Sequence, residues 1–187
     1  EETKWATEYC VNEAEENCML RLVIGPSPER IKLPKNYKLK VGVGAELTEG
    51  NDAILFGYGP VMLHEALVAA DYLNKIGFGL KIVNMPWLNK IDKGWLKELV
   101  KDQKRIFVLE DHSAVGGLGD RILNALVETN SIAGKEFTNF GLIEYPECGT
   151  PLEVLEFHQL DGKSLAQRIS GVKDIETVEA VKLNYTA

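Results

Sequence analysis

Residues 106–122 read Ile-Phe-Val-Leu-Glu-Asp-His-Ser-Ala-Val-Gly-Gly-Leu-Gly-Asp-Arg-Ile. Ile106 to Leu109 form the unbroken apolar run of a buried strand. Glu110, Asp111 and His112 follow and read as a polar loop, then a glycine cluster, Gly116, Gly117 and Gly119. Beyond it Leu118, Ile122, Leu123 and Leu126 fall on one face of a helix. The stretch is a strand-to-helix junction. In an open parallel sheet such a junction lies at the carboxyl edge, where ligands bind.

The same rhythm runs upstream. Ala53 to Phe56 is a buried strand, Gly57-Tyr58-Gly59-Pro60 a turn, and Val61 to Lys75 a helix with Leu63, Leu67, Ala70 and Leu73 inward. Pro60 suits the first helical turn and Gly77 the stop. Leu80 to Val83 is the next strand, and Asp92 caps a helix that reaches Val100. A short strand is expected within Val43–Leu47. Downstream, the glycine helix extends to about Glu128, and Phe137–Ile143 is the last strand. Short helices follow near 151–157 and 163–170. Strands alternating with helices predict α/β architecture: parallel βαβ units, right-handed crossovers, helices on both faces.

The two ends differ from this unit. Residues 3–16 have helical spacing around Trp5 and Tyr9, Cys18–Ile24 reads as a strand, and Gly25-Pro26-Ser27-Pro28 ends it. Residues 29–41 read as a linker, and the tail from 172 to 187 carries no clear signal. A lone helix and strand cannot bury a core, so residues 1–41 are expected to be the tail of another domain plus a linker. The strand would then offer an unpaired edge.

Composition bounds the function. With 187 residues and 45% hydrophobic content the chain fits one domain with a sizeable core, or one domain and a fragment. A net charge of −7, with no Lys/Arg run, argues against a nucleic-acid surface. No apolar stretch approaches the length of a membrane span. Three irregularly spaced cysteines make no disulfide framework, so a reduced, cytoplasmic setting is expected.

Gly-Gly-Leu-Gly at 116–119 is neither the dinucleotide fingerprint nor a phosphate loop. Amides at such a helix start can hold an anion. Equally, glycines let the turn pack closely, and Glu110, Asp111 and Asp120 would repel an anion. Glu110-Asp111-His112 has the residue types of acid/base catalysis. Adjacent residues on a continuing strand would point to opposite faces, which favours a structural role. His64, His158 and the three cysteines match no zinc spacing. Cys148 in Glu-Cys-Gly-Thr-Pro has the residue type of a nucleophile, but no base is placed by sequence, which counts against that role. Tyr58 and Trp87 sit in strand-end loops, where lining a groove or a dimer contact is one reading and core or interface packing the favoured one.

Three ordered stretches together resemble the C-terminal domain of the transketolase family of thiamine-diphosphate enzymes. They are Gly50–Gly59 with the helix at Val61-Met62, then Leu80–Asp92, then Val108–His112 with Gly116–Gly119. The resemblance spans about residues 42–170. It implies a three-layer α/β/α domain whose five-stranded sheet is mostly parallel with the first strand antiparallel. It implies that residues 3–24 end a preceding pyrimidine-binding domain. It also implies a homo-oligomer in which this domain supports dimer assembly, while thiamine diphosphate and magnesium bind upstream domains or a separate subunit. This chain would then lack a complete active site. Aligning Arg21 with the family's strand motif puts Ile24 where sugar-phosphate-using members carry a phosphate-binding arginine. That counts against a phosphorylated substrate unless Arg30 folds back, and makes Arg21 a candidate substrate-channel residue. The beta chains of 2-oxoacid dehydrogenases share the domain. Outside the resemblance stands a freestanding small-anion or nucleotide module built on the Gly116–Gly119 helix start.

Overall fold

The computed structural model describes residues 2–23 and 31–175. Ile24, Arg30 and the tail from 176 lie outside the described residues. In chain order the elements are α1 (Glu2–Asn12), β1 (Ala45–Glu46), β2 (Ala53–Gly57), α2 (Pro60–Lys75), β3 (Leu80–Asn84) and α3 (Lys93–Leu99). Then come β4 (Arg105–Ser113), α4 (Leu118–Glu128), β5 (Glu136–Leu142), α5 (Pro151–Phe157) and α6 (Gly162–Ser170).

The five strands form one sheet in the order β1-β3-β2-β4-β5. β1 pairs antiparallel with β3, and every other ladder is parallel. The fold class expected from the sequence is the one found. Central strands covered on both faces need no polar alternation, and every residue of β2 is buried. Edge β5 instead alternates exposed and half-buried positions along its first half. The short β1 edge is finished by a side chain: Thr48 Oγ1 donates to the Leu80 carbonyl (2.8 Å) and accepts from the Ile82 amide (2.9 Å). A two-residue edge strand leaves little backbone open to foreign pairing.

The sheet separates two apolar cores. On one face Leu55, Ile82 and Phe107 pack with α2 and α6 through Leu63, Ala66, Leu73, Leu165 and Ile169. On the other, Ile54, Phe56, Val83 and Ile106 pack with Leu96 of α3 and with Leu118, Ile122 and Leu126 of α4. Local chemistry fixes the helix ends. Asp92 accepts the Trp95 amide at 2.9 Å, the cap read from the sequence, and Thr150 with Glu153 forms a capping box on α5. The Lys135 ammonium donates to the carbonyls of Val100, Lys101 and Gln103 (2.8, 3.0 and 2.7 Å), closing the carboxyl end of α3.

Two expectations change. β4 does not stop at Leu109: it runs to Ser113, with a register irregularity between Leu109 and Ser113, so Glu110, Asp111 and His112 lie on a strand and not in a loop. Pairing resumes at Ser113 with Leu142, and the Ala114 amide donates to the Leu142 carbonyl (3.0 Å). Of the strand expected at Cys18–Ile24, residues 18–23 make no ladder with any described segment. Their apolar side chains have no sheet to join, and Met19 is 92% exposed. Among the described residues no helix is long and apolar enough to cross a membrane.

Candidate functional site

β2 and β4 lie side by side and parallel, but their connections leave in opposite directions, to β3 through α2 and to β5 through α4. The crevice beyond their carboxyl ends is a topological switch point, the place where open α/β sheets take ligands. Tyr58 stands at the end of β2, and Glu110, Asp111 and His112 at the end of β4.

Glu110 is fully buried, and five groups, His112 among them, converge on its carboxylate. Oε2 accepts the Leu118 amide at 3.0 Å. Oε1 accepts the Gly119 amide at 3.0 Å and Asn139 Nδ2 at 2.9 Å. The Tyr58 hydroxyl lies 3.5 Å from Oε2. The amides are those of the first turn of α4, where the helix dipole favours a negative charge. Gly116 donates its own amide to Asp120 Oδ2 at 2.6 Å. The anion position at Gly116–Gly119 is thus taken by carboxylates of the chain itself.

The glycines are explained by the same contact. A Cβ on Gly117 would overlap the Glu110 carboxylate, and a Cβ on Gly119 would overlap the Asn139 amide. Gly116 has φ +84°, in the left-handed region that favours glycine. Close packing, the structural alternative read from the sequence, accounts for Gly117 and Gly119.

Asp111 is half-buried and faces the N-terminal segment. Its Oδ1 accepts Arg21 Nη1 at 2.7 Å and the Tyr58 hydroxyl at 3.2 Å. Tyr58 therefore reaches both carboxylates, which alternation along an undistorted strand would separate. The register irregularity after Leu109 supplies the difference. Burial first, and then the negative charge of Asp111, push the Tyr58 hydroxyl well above its ordinary range. The hydrogen bond that Arg21 donates to Asp111 raises its guanidinium further above its already high value. His112 donates Nδ1–H to the Ser113 carbonyl (2.7 Å) and brings Nε2 to 3.3 Å from Glu110 Oε2.

Residues 2–23 lie along this same carboxyl edge. Glu2 accepts from Asn84 Nδ2, at the end of β3, at 2.9 Å. Tyr9 packs edge-on against Trp87 with ring centroids 4.9 Å apart. Arg21 then reaches Asp111, so the chain crosses from the end of β3 to the end of β4.

Other candidates fall elsewhere. His158 Nε2 accepts the Glu147 amide at 3.2 Å, so that nitrogen serves the backbone beside Cys148 and not the thiol. Among the described residues no group of three or more His, Cys, Asp or Glu can hold a metal ion. One buried carboxylate escaped the sequence reading. Glu65 on α2 accepts the Gly162 amide at the start of α6 (2.7 Å). Burial raises its carboxyl to about 7, the Gly162 hydrogen bond opposes this, and Asp161 adds to it. Asn139 was also missed: it donates to both Glu110 and the Ala114 carbonyl (2.7 Å). In the sequence it is marked only as an amide side chain between Thr138 and Phe140 on the last strand.

The arrangement is held mainly by its own contacts. Glu110 has its oxygens committed to α4 and β5, leaving Asp111, His112 and Arg21 as the partly exposed groups of the crevice. A family model for the transketolase C-terminal domain matches residues 42–165. A putative transketolase C-terminal section from Methanocaldococcus jannaschii is 32% identical over 132 residues, covering 70% of this chain and 40% of that protein. Rat transketolase is 28% identical over 171 residues, 89% of this chain and 27% of the relative. A 1-deoxy-D-xylulose-5-phosphate synthase from Desulfitobacterium hafniense is 26% identical over 145 residues, 78% and 22%. Among solved structures, a split gene transketolase described as an inactive beta4 tetramer superposes with a TM-score of 0.67 at 25% identity, covering 81% of this chain and 48% of that one. The chain spans no more than 40% of the length of these sequence relatives. On the match over residues 42–165, the chain belongs to the transketolase C-terminal domain family.

Proposed function

We propose that this chain is the C-terminal, assembly-forming part of a transketolase-like thiamine-diphosphate enzyme, with its catalytic machinery in upstream domains or a partner subunit. The observation that supports this most is the occupied switch point. The crevice that binds ligands in open α/β sheets is filled by Glu110, Tyr58 and Asp111, and residues 2–23 lie along it. In this reading residues 1–41 are the end of a pyrimidine-binding domain with its linker, residues 42–171 form the family domain, and residues 172–187 are a tail. Arg21–Asp111 is then a contact between domains.

The residues present do not fit the cofactor of the intact enzyme. A magnesium diphosphate on α4 would have to displace the Glu110 carboxylate from the amides of Leu118 and Gly119 and face its charge. We therefore place thiamine diphosphate and its metal outside this chain. The named relatives are transketolases and a 1-deoxy-D-xylulose-5-phosphate synthase, which favours ketol transfer over an oxoacid dehydrogenase as the reaction of the whole. The structural relative is an inactive tetramer from a split gene, which supports a homo-oligomer that needs a second subunit.

Complementation tests this. The full chain is purified and assayed for ketol transfer alone, then with separately expressed thiamine-binding domains of a transketolase. Turnover only in the mixture, with co-elution of the two, is the expected result. Turnover by the chain alone, or failure to form a complex, overturns the proposal.

A further inference from the structure

The two edges of the sheet differ. β1 is two residues long, and beyond it Thr48 takes up the backbone groups of Leu80 and Ile82. β5 runs for seven residues, Glu136–Leu142. Among the described residues its backbone–backbone bonds go only to β4 and to the flanking Lys104 and Ala114, so its outer row of amides and carbonyls is open. The residues that blunt such an edge are missing: positions 137–142 contain no Lys, Arg or Pro. Just past the strand, Ile143 and Tyr145 are 90% and 96% exposed. An open edge thus runs straight into an apolar pair.

The chain's own continuation does not suit this edge. α2 and α6 pack in the core on one face of the sheet, and the crossover through α2 runs from β2 to β3, away from β5. A helix on that same face leading to a parallel strand outside β5 would cross in the opposite sense, which parallel connections almost never do. α6 ends with the Ile169 carbonyl on Arg105 Nη2 (2.5 Å), at the start of β4. A strand following it would therefore start beside the amino end of β5 and run parallel.

A second copy meets no such conflict. We propose that two copies of this chain join their sheets edge to edge, antiparallel through β5, with Ile143 and Tyr145 covered at either end of the contact. This rests on the homo-oligomer reading of the function and gives that oligomer a surface. Identical edges pair across a two-fold axis, so each copy offers the other the same patch. With the axis at Asn139, Glu136, the only charge in the strand, lies opposite Leu142 of the partner subunit, and like charges stay apart. Thr138 falls beside Phe140 of the partner subunit. Ile143 and Tyr145 reach Ala133 of the partner subunit and the turn that follows it.

The test combines sedimentation and amide hydrogen exchange on the full chain from about 1 to about 100 µM, a range over which a dimer gains population by mass action. The expected result is a dimer or larger species, with residues 137–142 exchanging several-fold more slowly at the top of the range. Two variants change exposed side chains only, T138K on the strand and I143K/Y145K beyond it. Both should sediment as monomers, and far-UV circular dichroism checks that they remain folded. An oligomer that persists in both folded variants, or that forms without slowing exchange in 137–142, overturns the β5 contact and leaves the homo-oligomer reading standing. A chain that is monomeric throughout overturns both. Slow exchange in 137–142 that is independent of concentration means that the chain's own tail covers the edge, and overturns the proposal as well.

Discussion

Glu110 shows what a single side chain can settle. Its carboxylate is the acceptor for two amides that open α4 and for Asn139 on β5, so it joins three elements inside the molecule. Removing it leaves buried donors without partners, at about 1–3 kcal/mol each. Glu110→Ala is expected to cost about 3 kcal/mol or more in a urea melt, and Glu110→Gln to cost less because one acceptor oxygen survives. Gly117→Ala should cost a similar amount, since the new methyl overlaps that carboxylate. Arg21–Asp111 is weaker: the Arg21 side chain is 50% exposed, and a double-mutant cycle should return a coupling of about 1 kcal/mol or less, falling with salt. The residue types at this junction were legible in the sequence, but their assignment was not. Glu-Asp-His looked like acid/base equipment because sequence records which groups are present and not what saturates them. Asn139 lies 29 positions away and is brought to Glu110 only by the parallel β4–β5 ladder.

At the level of elements, periodicity located every strand and helix of the sheet unit, because two-sided burial and amphipathic faces leave direct marks on composition. It misplaced the end of β4, where three polar residues masked a strand whose last pair forms after an irregularity. It also read Cys18–Ile24 as a strand from its apolar content, and a strand needs a neighbour that residues 18–23 do not have among the described segments. The packing of α2 on α6 was invisible for a different reason: Glu65 is the kind of residue that pattern reading assigns to solvent. Its folded carboxyl titrates near 7, above the ordinary value of 4.5. Below pH 4.5 both states are protonated and the group contributes nothing. As pH rises from about 4.5 to about 7 the unfolded chain releases this proton first, so stability falls across that window and then levels. The full effect is on the order of 3 kcal/mol. Glu65→Gln should remove the slope between pH 5 and 7 and raise the melting temperature at pH 8. An unchanged slope would show that Glu65 does not titrate between the states.

Across the whole molecule, the order β1-β3-β2-β4-β5 puts β2 in the middle and the carboxyl ends of β2 and β4 together. That juxtaposition follows from right-handed crossovers and short connections, and needs no knowledge of any ligand. What the crevice holds is a separate matter. Glu110 is tethered eight and nine residues from the amides it accepts. A group on so short a tether competes as though present at a high effective concentration, of millimolar order or above, before any burial is counted. A free phosphate or nucleotide must outcompete a ligand that cannot diffuse away. The fold therefore carries its own permanent occupant, and added anions should not stabilise it. The melting temperature should stay flat as phosphate or nucleotide is raised to about 10 mM, whereas a binding site would lift it with the logarithm of concentration.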